Sequence, residues 1–136
     1  MSVLKVNTIQ GVDGRGISAE VTSEGGATTT SLGQGLCKHW VGNLDMSDGS
    51  LVDSFNTSSV ADVDAGDFNV NIASPFVTAN GYSLTFGGTN SSNGNAFLSM
   101  QGQTPTTSQY RMAAFLSNDT NLDIDMAKSA THGDLA

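Results

Sequence analysis

Between Leu36 and Phe76 the chain reads as strand, turn and strand, and its clearest run, Phe68-Asn69-Val70-Asn71-Ile72, alternates apolar with polar residues at every step. A side-chain period of two belongs to a strand with one face buried and the other wet. Nowhere do apolar residues recur at three-four spacing over a helical length without a glycine or polar break. A helix needs such a stripe to bury, so the sequence points to an all-β fold.

The same reading sorts the rest of residues 36–136. Cys37, His39 and Val41 share one face and Lys38 and Trp40 the other, so this segment carries large side chains on both faces; the lone tryptophan, Trp40, is expected in the core. A turn over Asp45 to Gly49 leads to Phe55, Val60 and Val63, and Asp64-Ala65-Gly66 folds the chain back into Phe68, Val70 and Ile72 as a hairpin. Pro75 closes that strand, and Tyr82, Leu84 and Phe86 alternate in the next. Beyond the polar loop Asn90 to Asn95, the set Ala96, Leu98 and Met100 is expected inward and Phe97 outward. Tyr110, Met112, Ala114 and Leu116 follow, then Leu122, Ile124 and Met126 with Asp123 and Asp125 turned to solvent. Strands at this spacing predict an antiparallel β-sandwich or jelly roll of about seven strands.

The first 35 residues read differently. In residues 3–9, Leu4 and Val6 alternate with Lys5 and Asn7 as a short strand able to pair with a neighbouring subunit or a partner. From Gly11 to Gly35 the sequence thins to glycine, serine and threonine with scattered Val, Ile and Leu, too little to build a core. The division expected is an anchoring arm or linker over 1–35 and a head over 36–136. A chain of 136 residues has room for one such core. The opening, with one lysine and no long apolar run, predicts neither a signal peptide nor a membrane span, and the cytosol of the producing cell is the expected compartment.

Thirteen acidic residues against five basic ones give a net charge of −8, which repels phosphate backbones and anionic bilayers at long range. Neither nucleic acid nor a membrane is therefore expected as partner. The single cysteine, Cys37, forms no intrachain disulfide and reads as a small buried apolar residue. Asn56-Thr57-Ser58, Asn90-Ser91-Ser92 and Asn118-Asp119-Thr120 fit the glycosylation pattern as chance matches in an Asn/Ser-rich chain.

Candidate chemistry is thin. Asp62, Asp64 and Asp67 could converge on a calcium ion, but the segment lacks the spacing and closing glutamate of an EF-hand loop and reads as a solvated hairpin turn; Asn43, Asp45 and Asp48 share the ambiguity. His39 and His132 lie outside any zinc-ligand spacing, the first as a packing residue and the second in a polar tail. Gly33-Gln-Gly35 is an isolated G-x-G in a glycine-rich arm. No nucleophile elbow, phosphate loop or paired glutamates occur, so neither an enzyme nor a cofactor is expected. Tyr82 and Tyr110 are the candidate glycan contacts, since aromatic faces stack on sugar rings.

Two pieces of the sequence carry a resemblance. The opening Ser2-Val3-Leu4-Lys5-Val6-Asn7-Thr8-Ile9-Gln10 resembles the N-terminal signature L-K-V-[DN]-T-I of tail fibre-like proteins from phages of marine and aquatic bacteria. The segments Lys38 to Val41, Asp53 to Val60 and Gly66 to Ile72 look like a domain common near the ends of those proteins. Together these segments hold 28 of the 136 residues. The chain departs from the pattern in the insert Leu44 to Ser50 and in having almost no shaft between arm and head. The resemblance implies a virion structural protein, with Leu4, Val6 and Ile9 anchoring the arm to tail or major capsid proteins, the head facing outward towards a host surface glycan, and a homotrimer as the assembly. A capsid decoration protein clamping shell subunits and a non-catalytic carbohydrate-binding module are the alternatives.

Overall fold

The computed structural model describes residues 20–22, 29–31, 35–90, 96–100 and 102–136. The chain divides into two compact units, residues 1–36 and 37–136. In the first, β1 (Glu20–Thr22) pairs antiparallel with β2 (Thr29–Ser31), so the stretch expected to run as an extended arm contains a two-stranded pairing. Leu4, Val6 and Ile9, the expected anchors, lie outside the described residues.

The second unit is a β-sandwich of two four-stranded antiparallel sheets. One sheet runs β4 (Ser54–Phe55), β3 (His39–Leu44), β10 (Met126–Gly133), β7 (Tyr82–Thr89). The other runs β5 (Thr57–Asp64), β6 (Asp67–Ile72), β9 (Gln109–Phe115), β8 (Phe97–Ser99). Val41, Leu44 and Ala127 from the first sheet share one core with Phe68, Val70, Ile72, Tyr110 and Met112 from the second. First and last strands of the unit, β3 and β10, lie side by side, which closes the fold between its two ends.

Alternation gave β6 its true faces: Phe68, Val70 and Ile72 are buried and Asn69 and Asn71 are half-exposed. In β3 a bulge modifies the pattern. Ser129 of β10 pairs with Val41 and Ala127 with Leu44, so β3 spends an extra residue between the two. That residue resets the alternation, and Val41 and Leu44 both face inward although they are three apart. β5, an edge strand, carries two such shifts, near Ser58 and near Val63. Bulges and the aspartates at 62 and 64 discourage another strand from pairing there.

Four expectations need correction. Trp40 is not in the core: it lies half-buried on the outer face of its sheet, opposite Phe55. Met100 is exposed, while Ala96 and Leu98 pack on the core as expected and Phe97 points outward, 54% exposed. Leu122 and Ile124 form an extended lead-in, not a strand; the strand begins at Met126 and its inward residues are Ala127, Ser129 and Thr131. His132, read as tail, is part of that strand and pairs with Ser83. The alternation of β10 is carried by alanine, serine and threonine, so no apolar pattern announces it.

The insert Leu44 to Ser50 is a plug for the core. Leu44 and Met46 are buried, and the Met46 N–H donates to the Ile124 carbonyl at 3.0 Å. Asp45 Oδ1 accepts from the Ser47 N–H at 2.9 Å and the Ser47 hydroxyl at 2.7 Å, and Asp48 Oδ1 accepts from the Ser50 N–H at 2.8 Å. Two side-chain-capped turns thus hold the insert in shape.

Candidate functional site

His39 is fully buried and bonded at both ring nitrogens. Thr131 Oγ1 donates to the His39 carbonyl at 3.3 Å, which leaves the Thr131 hydroxyl oxygen to accept from His39 Nδ1 at 2.9 Å; Thr57 Oγ1 lies 3.0 Å from Nε2. Donor accounting therefore assigns the proton to Nδ1 and makes Nε2 the acceptor of the Thr57 hydroxyl. Burial lowers the imidazole pKa to about 4, because a charge there would lose its hydration. The Cys37 thiol points at the His39 carbonyl at 3.1 Å, and the Tyr110 ring meets the imidazole edge-on at 5.5 Å. Tyr110 in turn bonds through its hydroxyl to Ser129 Oγ at 2.5 Å, linking the two sheets.

A hydroxyl beside an imidazole suggests a nucleophile and its base. The third member here is the neutral Thr131, not a carboxylate, and a base with so low a pKa takes up protons poorly near neutrality. What the cluster does is join β3, β5 and β10 through one satisfied side chain.

Two of the three aspartates of the expected turn, Asp64 and Asp67, are similarly committed. Asp67 receives the Arg111 guanidinium in a two-bond clasp, Nε to Oδ1 at 2.6 Å and the terminal nitrogen to Oδ2. Asp64 Oδ1 accepts from the Ala65 N–H at 2.8 Å. From the opposite side Asp123 Oδ1 accepts from the Gly66 N–H at 2.6 Å. These bonds make a capped hairpin turn docked on the lead-in to β10. Asn56 is occupied too: its amide donates to the carbonyls of Lys38 and Ser74 at 3.0 and 3.1 Å and accepts from the Ser74 N–H at 2.7 Å. An amide so engaged is no open acceptor for a glycan.

The two expected glycan contacts separate. Tyr110 is 1% exposed, so its ring offers no face to a ligand and that assignment is withdrawn. Its size and inward register, between Val70 and the sheet opposite, made it core. Tyr82 is half-buried, with one face stacked on Phe76 at 4.4 Å and its hydroxyl donating to the Thr106 carbonyl at 2.9 Å. It supports the loop before β9 and has little left for a partner.

The aromatic surface that sequence reasoning missed is the outer face of the sheet β4-β3-β10-β7. Phe55, 51% exposed, pairs with Trp40, which pairs with Ala130, which pairs with Thr85, one row across four strands. Trp40 leans along β3 over Gly42: a Cβ there would lie 2.9 Å from Cζ3 of the indole. Beside this row lies a shallow open hollow of about 350 Å³ over Gly87, Ala130, Thr85 and Lys128, with nothing near the position a Gly87 Cβ would occupy. The signal was present in the sequence, where Trp40 falls out of phase with His39 and Val41. Hydrophobicity outweighed phase in the expectation. Comparison of the chain with protein-family models, with curated proteins and with solved structures found no match to any of them.

Proposed function

We propose that the chain is a structural protein of a bacteriophage particle, tail fibre-like, non-catalytic, with residues 1–35 as its anchor and the β head facing outward. The observation that carries this reading is the division of labour in the chain: a glycine- and serine-rich first unit, and a second unit that closes its own core. The residues that resemble the phage domain support it from inside, because they are framework. His39, Asn56, Asp67 and Phe68 join strands or fill the core. In the head, polar chemistry is spent on holding shape, which suits a particle component exposed to solvent. We further propose a homotrimer, in which a sheet edge is covered by a neighbouring copy.

The deciding experiment is the copy number of the chain in purified particles, measured against the major capsid protein. A few tens of copies or fewer supports a tail position, whereas on the order of hundreds moves the chain to capsid decoration, since only the icosahedral lattice offers so many equivalent sites. Absence from particles overturns both. Deleting residues 2–30 should abolish incorporation, and normal incorporation of the truncated chain removes the anchor role. Light scattering should give three times the mass of one chain; a monomer mass ends the trimer proposal.

A further inference from the structure

We propose that the outer face of the sheet β4-β3-β10-β7 binds a neutral saccharide, with Trp40 and Phe55 as the stacking platform. Trp40 can lean along the sheet only because residue 42 has no side chain: a Cβ at that position would press on the indole at 2.9 Å and on the Asp53 carbonyl at 3.1 Å. One edge of the ring rests on the strand, and Phe55 continues the apolar surface towards β4. Small residues keep the neighbouring ground open, Ala130 on β10 and Gly87 on β7, and leave the shallow hollow beside the platform.

Polar groups of both signs border this platform. Lys128 and Thr85 line the hollow, and the strand register puts Asp53 across from Gly42 on the same face. A hydroxyl-rich ring needs donors and acceptors around an apolar face, and this is the mixture presented. The area argues against a protein partner. Two partly exposed aromatic side chains offer on the order of 200 Å² of apolar contact, about half the apolar share of the roughly 800 Å² per partner that a stable protein interface buries. Charge argues for neutrality in the ligand: a chain of net charge −8 repels a polyanion at long range, and one lysine in the hollow does not reverse the field.

This inference deepens the reading of an outward-facing head and uses that reading only for the purpose of the site; binding itself is measured on the free protein. The full chain is applied to an array of neutral, carboxylated and sulphated oligosaccharides, and the best neutral binder is titrated against the fluorescence of Trp40, the single tryptophan. A neutral oligosaccharide should bind and perturb the emission. Trp40→Ala and Phe55→Ala should each weaken binding by about tenfold or more, while Tyr82→Phe leaves it unchanged. Melting curves accompany every variant, and because Phe55 is half-exposed its replacement decides the matter even if the Trp40 variant fails to fold. The proposal is overturned if no neutral oligosaccharide binds, if only charged ones do, if both alanine variants bind normally, or if either variant instead breaks an oligomer in light scattering. Because particle copy number is read separately, a failure here leaves the virion assignment standing, and the reverse holds too.

Discussion

His39 ties the stability of the head to pH through one buried ring. The folded protein holds it neutral, with a pKa of about 4, whereas the unfolded chain binds a proton near the ordinary value of 6.5. Stability is therefore complete above the unfolded pKa and is lost as pH falls from 6.5 towards 4, since the unfolded state takes up the extra proton. Urea unfolding at pH 7 and pH 5 should differ by about 2 kcal/mol, in a range where most carboxylates stay ionised. His39→Asn should flatten that slope whatever it does to stability at pH 7; an unchanged slope would assign the effect elsewhere. Asn56 allows a second test at this scale. Its backbone sits at φ +58° while its side chain ties β3 to the end of β6. Asn56→Gly keeps the backbone conformation and removes only the clasp, at a cost of about 2 kcal/mol; Asn56→Ala adds about 1 kcal/mol of left-handed strain. Denaturant midpoints for the two variants should fall in that order.

At the level of elements, two glycine turns look alike in sequence and differ in the fold. Gly49 and Gly66 both have positive φ. Around Gly49 the nearest atom to an added Cβ is an edge carbon of Phe68 at 3.4 Å, an ordinary contact, whereas at Gly66 it is the Leu122 carbonyl oxygen at 2.3 Å. Gly49→Ala should cost about 1 kcal/mol, for the backbone alone. For Gly66→Ala the cost should exceed about 3 kcal/mol, because the β5–β6 turn must lift off the lead-in to β10. Equal midpoint shifts for the two variants would refute the docking argument. The Asp64-Ala65-Gly66 turn was legible as a turn; its seat against Leu122 was not, since that contact joins residues more than fifty apart. Strand β10 taught the same lesson. Its buried side chains, Ala127, Ser129 and Thr131, are small or polar, and they become core only because β3 and β7 flank them and because Tyr110 and His39 hydrogen-bond to the Ser129 and Thr131 hydroxyls.

For the whole molecule, residues 37–136 form a compact unit with a buried core of their own. A protein lacking residues 1–36 should therefore unfold in one cooperative transition with a melting temperature within a few degrees of the full chain. A broad transition, or a large drop, would show that the first unit contributes to the head. By itself the sequence determined the all-β class, the faces of β6, β7 and β9 and the position of the main turns. These are set locally, by the period of two and by residues suited to tight backbone geometry. Only the tertiary structure decided how those faces are served. The Tyr110 hydroxyl, carried inward by its register, met Ser129 across the sandwich, and Trp40, placed outside by its phase, found room over Gly42. Side-chain period is written into neighbouring residues, whereas a partner for a buried hydroxyl and space beside an indole come from strands that meet only when the chain has folded.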